Sequence, residues 1–173
     1  AWWWELRTER DVGPVVNAAS VGAARGGFEP RPAARGDVLG RIEIPAVGVS
    51  AWIVEGVSDH DLTHAVGRIP ESARFGEPGN VALAGHRDRH FRGLRHVVPG
   101  QEVIVTTRRG VFRYVVDYAS VVDPSRVDVI GNRDRDELTL VTCFPFDWIG
   151  RAPQRWIVHA REIDADRAKP RSL

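Results

Sequence analysis

The sequence contains one cysteine, Cys143, and no methionine. A single cysteine cannot form an intramolecular disulfide, so the fold must be stabilised by its core and not by cross-links. Such a thiol either packs as a small hydrophobic side chain or serves as a reactive group. Its position in the chain decides between the two.

A strong charge of either sign is also missing. Lysine and arginine together number 24 against 23 aspartates and glutamates, which leaves a formal net charge of +1. Nucleic-acid binding usually requires a concentrated basic face, so we expect no nucleic-acid partner. The sequence has neither a phosphate-binding glycine loop nor a dinucleotide-binding fingerprint, and we expect no cofactor.

Long apolar runs are absent too. No stretch reaches about 18 apolar residues, the length that would predict a transmembrane helix. The first residues nevertheless include Trp2, Trp3 and Trp4, and tryptophan collects at the lipid–water interface. We interpret these residues as the remnant next to a removed N-terminal membrane anchor. The alternative is a short helix whose indoles pack on the folded domain.

The chain divides by composition into an N-terminal extension or linker over 1–36, a folded domain over 37–164 and a charged tail over 165–173. In the domain, a helix is predicted from its N-cap at Ser58 to about Ala65. Alternating apolar and polar residues predict short strands separated by turn residues. The predicted strands cover 38–45, 51–55, 80–85, 101–107, 111–122, 138–142 and 155–163. One further helical turn is predicted at 91–96. Many short strands and little helix predict a mainly β fold, a closed or nearly closed β-barrel.

Three side chains suited to acyl-transfer chemistry lie at or near predicted strand ends. Cys143 ends one alternating strand just before Pro145, which cannot donate a ladder hydrogen bond. His86 follows the small-residue strand that ends at Gly85, and Arg155 opens the last strand. A thiol, an imidazole and a guanidinium in these places suggest a cysteine transpeptidase or peptidase.

The segments around these residues resemble the sortase family. The run Thr-Leu-Val-Thr-Cys that ends at Cys143 matches the family signature Thr-Leu-x-Thr-Cys, and Gly85-His86 and Arg155 match its other two motifs. The stretch 86–95 is most similar to class D, and the resemblance covers 38–163. It implies an eight-stranded barrel that forms the catalytic domain. It also implies a thioacyl intermediate, an extracytoplasmic place at the bacterial membrane, and a sorting peptide similar to Leu-Pro-x-Thr-Gly as substrate. The acceptor would be an amine of a peptidoglycan precursor or of another protein.

The resemblance assigns each of these residues a role that its chemistry allows. A thiolate of Cys143 would attack the substrate carbonyl, and the imidazole of His86 would act as general acid and base. His90 and His96 are the local competitors for that second role. The guanidinium of Arg155 would stabilise the oxyanion of the tetrahedral intermediate.

Three neighbouring residues leave alternatives open. Arg151, four positions before Arg155, is the rival guanidinium, although its Gly-Arg context favours a turn. Thr142 would support the oxyanion, or it would simply favour a strand. Asp88 would orient the imidazole, or it would anchor its loop, which we consider the better interpretation.

Other functions find less support in the sequence. Neither His60 with His64 nor His86 with His90 forms a His-Glu-x-x-His pattern, so we expect no metal site. We interpret the first pair, together with His159, as surface or strand residues. Some sortases bind calcium on acidic loops, for which the weak candidates here are Glu71 and Glu77.

Two other enzyme classes and one non-enzymatic class remain as rivals. An L,D-transpeptidase should carry Ser-His-Gly-Cys at its nucleophile, and a papain-like peptidase should carry a cysteine that opens a helix near the N-terminus. Neither pattern is present. A non-catalytic cell-surface barrel that binds peptide or glycan would keep the strand pattern but would have no reason to hold Cys143, His86 and Arg155 near one cleft.

Overall fold

The computed structural model describes residues 32–167, with side chains described as far as residue 163. The eight strands are β1 (Val38–Ile44), β2 (Val49–Glu55), β3 (Val66–Arg68), β4 (Asn80–Ala84), β5 (Glu102–Thr107), β6 (Gly110–Val122), β7 (Glu137–Phe144) and β8 (Gln154–Arg167). One α-helix, α1 (Asp59–His64), and three 3₁₀ turns at Pro45–Val47, Arg92–His96 and Val127–Ile130 complete the fold. The predictions for Trp2, Trp3 and Trp4 lie outside the described residues.

The strands close into a barrel in the order β1-β2-β3-β4-β7-β8-β6-β5. Neighbouring pairs are antiparallel, except that β2 runs parallel to β3 and β4 runs parallel to β7. The predicted mainly β fold with a closed eight-stranded barrel and few helices is therefore confirmed. Strand β8 continues to Arg167, so it enters the stretch that composition assigned to the tail. The division of the chain into three segments stays a prediction.

The barrel interior is filled by the apolar side chains of alternating strand positions. On β7, for example, Leu138 and Leu140 are fully buried in the main core, and on β1 the same holds for Ile42 and Ile44. Leu138 and Leu140 thus share a face, as the alternation in the sequence predicts. The buried rings of the interior are Phe75, Phe91, Phe112 and Tyr114.

A second apolar cluster covers part of the outer face of the barrel. Val141 of β7 and Ile157 of β8 point outward, where Leu62 of α1 and Ile130 pack against them. This stretch of β7 and β8 is therefore buried on both faces, one against the interior and the other beneath α1 and a 3₁₀ turn.

Helix α1 starts as the sequence predicts. The Ser58 hydroxyl accepts a hydrogen bond from the Asp61 amide at 3.2 Å, and the Asp61 carboxylate accepts one from the Ser58 amide at 3.1 Å. This capping box satisfies two backbone donors of the first turn. The helix is thereby fixed with Leu62 toward the barrel.

Strand β3 was not predicted, and a buried ion pair explains its place. Arg68 donates to both carboxylate oxygens of Glu55 on β2, at 2.7 and 2.5 Å. The same guanidinium donates to the carbonyl oxygens of Ser72 and Ala73 at 2.7 and 3.1 Å. A charge taken out of water needs such partners, and here they fix the loop that leads to β4.

Alternation in the sequence predicts that Phe112, Tyr114, Val116 and Tyr118 of β6 share one face, and this prediction is wrong at a single position. Phe112, Tyr114 and Val116 of β6 share the buried face, but Tyr118 is 39% exposed. The pairing of β6 with β8 shifts register between Val116 and Tyr118. Asp117 is the extra residue of this bulge, which reverses the alternation beyond it.

Candidate active site

The parallel pairing of β4 and β7 brings the histidine loop and the cysteine to the same edge of the barrel. Ala84, the last residue of β4, pairs with Val141 of β7. The Gly85 amide then donates to the Val141 carbonyl at 3.1 Å. The Thr142 hydroxyl donates to the Gly85 carbonyl at 2.7 Å. The residues directly after Gly85 and Thr142 are His86 and Cys143.

The antiparallel pairing of β7 and β8 places Cys143 directly opposite Arg155. Both residues point to the outer face, two positions beyond Val141 and two before Ile157. Cys143 is half-buried, whereas Arg155 is only 3% exposed. Nη1 of Arg155 donates to the carbonyl oxygens of Ala152 and Gln154 at 3.1 and 2.9 Å, so its guanidinium is held in place.

Cys143, His86 and Arg155 line one cleft, which we call the Cys143 cleft. Its other lining residues come from the end of β4, from β7 and from the segment around α1: Val57, Asp59, Leu62, Ala84, Gly85, Val141 and Thr142. The structure therefore brings together the three side chains that the sequence singled out. A non-catalytic barrel would have no reason to hold these three side chains in one cleft.

His86 stands on a tight turn that is anchored in the barrel core. Its carbonyl accepts hydrogen bonds from the amides of Arg89 and Phe91, at 3.3 and 3.2 Å. The fully buried ring of Phe91 packs so close to Gly85 that a Cβ there would lie 2.7 Å from it. Glycine is needed at position 85 because any side chain there would clash with this ring.

The alternative candidates for the imidazole and guanidinium roles lie outside the cleft. Neither His90 nor His96 lines the cleft. Burial lowers the pKa of His90, a tendency opposed by a hydrogen bond to the backbone of Thr63. Arg151 is exposed and is not part of the cleft lining.

The two supporting residues differ in their surroundings. Thr142 is 2% exposed and belongs to the cleft lining, with its hydroxyl hydrogen directed to Gly85. Asp88 is exposed on the histidine loop, outside the lining.

Sequence reasoning missed the residue that joins the two loops of the site. Arg87 donates from Nη2 to the carbonyl oxygens of Trp148 and Gly150, at 2.6 and 3.1 Å. The histidine loop is thereby bonded to the β7–β8 loop (145–153), which lies between Cys143 and Arg155 in the chain. The bonded residues are 61 and 63 positions away from Arg87 in sequence, so no local pattern could reveal the contact.

A polar network lies further along the same outer face. The Thr139 hydroxyl donates to Asn80 at 2.8 Å, so Nδ1 of His159, 3.1 Å away, is the donor toward Thr139. His159 is 3% exposed, and its ring lies 4.7 Å from that of Tyr118. Burial lowers the pKa of His159 to about 4. His159 is thus a buried strand residue and not a surface one.

Among residues 32–167, no group of three or more His, Cys, Asp or Glu is arranged to hold a metal ion. The rings of His60 and His64 lie 5.0 Å apart on α1. Glu77, one of the weak calcium candidates, lies within 4.0 Å of Arg74 and 3.8 Å of Arg109. None of the helices in the described part of the chain has the length and apolarity needed to cross a membrane.

A β-barrel that presents a thiol, an imidazole and a guanidinium on one cleft is the arrangement expected of a cysteine transpeptidase. The chain belongs to the sortase family, since the family model for the sortase domain matches residues 42–163. Membership implies a transpeptidase that takes a sorting-signal substrate and an amine nucleophile, and sortases are cell-surface enzymes.

Individual relatives agree with this assignment. Sortase D of Bacillus subtilis is 30% identical over 155 residues, which cover 89% of this chain and 77% of that protein. The structure of a Clostridium perfringens sortase D5 transpeptidase matches with a TM-score of 0.69 and 32% identity, over 77% of this chain and 83% of that one. A sortase E mutant from Streptomyces avermitilis matches with a TM-score of 0.68 and 28% identity, over 80% and 97%. The two sortase D proteins agree with the class that the histidine loop resembles.

Proposed function

We propose that this protein cleaves a sorting-signal peptide similar to Leu-Pro-x-Thr-Gly after its threonine and transfers the acyl group to an amine. The observation that carries the proposal is that Cys143 and Arg155 pair across β7 and β8 while His86 lines the same cleft. Nucleophile, proton carrier and oxyanion donor can then act on one bound carbonyl.

In the first half of the reaction the Cys143 thiolate attacks the threonine carbonyl carbon and forms a C–S bond. The electron pair moves to the carbonyl oxygen, and the Arg155 guanidinium stabilises this oxyanion. The oxyanion then collapses and the C–N bond breaks, and His86 gives its proton to the departing amine. The product is a thioacyl-enzyme.

In the second half the acceptor amine attacks the thioester carbon. His86 accepts the proton that this amine loses, and the Cys143 thiolate leaves. Water in place of the amine would give hydrolysis, so the same site would act as a cysteine peptidase. No cofactor takes part in these steps.

The supporting residues act through the positions of others. Thr142 bonds the carbonyl that precedes His86, which makes it a positioning residue for the imidazole. Asp88, which is exposed two residues after His86, would anchor the histidine loop.

The natural setting of the reaction is part of the proposal. The enzyme would stand on the extracytoplasmic side of a bacterial membrane, held by an N-terminal anchor. The acceptor would be an amine of a peptidoglycan precursor or of another protein. Support for this setting comes from the family to which the chain belongs.

The test is intact-mass analysis of the full chain incubated with a library of peptides similar to Leu-Pro-x-Thr-Gly, beside Cys143→Ala. We expect cleavage after threonine and a mass increase equal to the acyl fragment, both absent in the variant. A folded protein with a titratable thiol that forms no adduct with any such peptide would contradict the proposal.

A further inference from the structure

The tip of the β7–β8 loop, which we define as Trp148, Ile149 and Gly150, exposes apolar side chains next to the cleft. Ile149 is 96% exposed and Trp148 is 48% exposed. Single exposed apolar residues are common on protein surfaces and need no explanation. Two adjacent exposed apolar residues on a loop that is fixed by hydrogen bonds do need an explanation.

Three backbone groups of the tip, the Trp148 amide and the carbonyls of Trp148 and Gly150, are bonded from within the protein. The Trp148 amide donates to the Pro145 carbonyl at 3.3 Å, and Arg87 donates to the carbonyls of Trp148 and Gly150. The indole N–H of Trp148 donates to the Arg151 carbonyl at 3.1 Å. Polar groups that already have partners lose little when they leave water, so this tip can enter an apolar environment at reduced cost.

Positive charge surrounds the tip. Arg87 bonds it, and Arg151 follows it in the chain. Arg95 forms an ion pair of 2.6 Å with Asp147, the residue before the tip. Hydrogen bonding by Arg95 lowers the pKa of Asp147, and the nearby charge of Arg92 acts in the same direction. Four arginines against two aspartates, Asp88 of the histidine loop and Asp147, leave an excess of positive charge around the tip.

The shape of the tip limits what it can bind. A side chain that is 96% exposed lies in no groove, so it cannot surround a narrow peptide. It can insert into a broad, flat partner. Tryptophan with an aliphatic neighbour and flanking arginines is the combination that favours the headgroup region of an anionic bilayer.

We propose that Trp148 and Ile149 insert into the surface of an anionic membrane. Docking to the membrane does not require the proposed transpeptidase activity, but the benefit of docking for the reaction rests on that proposed function. Because the loop joins Cys143 to Arg155, a docked tip turns the Cys143 cleft toward the lipid surface. An acceptor amine carried by a lipid-linked precursor would meet the thioacyl-enzyme there.

The first experiment places an environment-sensitive fluorophore at the tip. Cys143 is the single cysteine of the 173 residues, so this chain with Cys143→Ser and Ile149→Cys carries one label. The matched control is Cys143→Ser with Trp52→Cys, because Trp52 is 55% exposed on β2, four strands from β8 in the closed order. Each is mixed with vesicles of equimolar phosphatidylcholine and phosphatidylglycerol, and with vesicles of phosphatidylcholine alone.

We expect a blue shift and an intensity gain at position 149 with the anionic vesicles, a weaker response with neutral ones, and no response at position 52. Added salt should reduce the signal, because it screens the arginines. Equal responses at both positions would overturn the proposal. So would vesicle binding without a shift at position 149, which would show that another segment, such as Trp2, Trp3 and Trp4, does the binding.

A second experiment separates a lipid partner from a peptide partner. The variant Ile149→Ser, which keeps Trp148 and its hydrogen bonds, should bind the anionic vesicles about tenfold more weakly than the parent chain, because one apolar side chain no longer leaves water. Its cleavage of a soluble peptide should stay unchanged. Unchanged vesicle binding with a raised KM for the peptide would overturn the proposal and assign the tip to the peptide. If the parent chain does not cleave the peptide, only the proposed function is contradicted. The membrane proposal is tested separately, by vesicle binding.

Discussion

The guanidinium of Arg87 lies 2.6 Å from the carbonyl oxygen of Trp148, and this bond connects the loop of His86 to the loop that carries the chain from Cys143 to Arg155. The same nitrogen, Nη2, also donates to the carbonyl oxygen of Gly150 at 3.1 Å. The relative position of the imidazole, the thiol and the guanidinium of Arg155 therefore depends in part on a residue that touches no substrate.

Replacing Arg87 should therefore impair turnover more than substrate binding. We expect Arg87→Gln to lower kcat by about tenfold to a hundredfold, because small displacements of reacting groups are costly, while KM changes little. Steady-state kinetics with a cleavable sorting peptide measures both constants. The control is Arg108→Gln on the β5–β6 turn, which removes an equal charge at a distance from the cleft. Equal losses in the two variants would point to charge alone.

The guanidinium of Arg155 should not be replaceable by an ammonium group. Arg155→Lys keeps the charge but loses the planar fork of donors, so we expect kcat to fall by about a hundredfold or more, almost as far as in Arg155→Ala. Arg151→Lys is the matched control, and it should remain within a few-fold of the parent. If Arg151→Lys were the defective variant, the oxyanion role would pass to Arg151.

The Thr142 hydroxyl is expected to matter for stability as well as for rate. Thr142→Val has nearly the same shape but leaves the buried Gly85 carbonyl without this donor, which should cost about 1 to 3 kcal/mol in the free energy of unfolding. Thr142→Ser restores the donor and should recover most of the loss. Urea unfolding and kcat should be measured on the same samples. A large loss of kcat at unchanged stability would show instead that the hydroxyl acts directly on the oxyanion.

The buried His159 predicts a fall in stability on mild acidification. Its pKa is about 4 in the folded protein, below the ordinary value of 6.5, so the unfolded chain binds a proton more readily. The neutral ring contributes its full stability above about pH 6.5, and that contribution is lost as the pH falls toward 4. One proton corresponds to at most about 1.4 kcal/mol per pH unit. The charged groups that affect the ring are Arg133, Arg135, Glu137 and Asp117.

Urea unfolding of the parent chain and of His159→Gln at pH 7 and at pH 5 measures this effect. The variant should lose less free energy of unfolding between the two pH values than the parent does. An equal loss in both proteins would assign the pH dependence to other groups.

Much of the fold was predictable because its signals are local. The alternation in β1, β6 and β7 identified the strands, and the N-cap residue Ser58 marked the start of α1. Strand β3 could not be found in this way. It is three residues long, and its partner for Arg68 is Glu55, 13 positions earlier in sequence.

The candidate site shows the same division. Strand ends next to Pro145 and Gly85 indicated where Cys143 and His86 would lie. The covering of the outer face could not be read from alternation, because a polar face with Thr139 and His159 normally predicts contact with water. In the structure Thr139 bonds to Asn80 and His159, and the ring of Tyr118 packs on His159; such contacts between separate strands have no local signal.

The parallel pairing of β4 with β7 also affects how the protein folds. The hairpin of β5 and β6 joins neighbours in the chain, whereas the bond between Gly85 and Thr142 spans 57 positions. Closing a long loop costs entropy before any contact offsets it, so pairings of this kind form slowly. A refolding chain can thus acquire much of its β structure before it acquires the cleft. The time at which enzymatic activity returns during refolding would then report when the barrel finally closes.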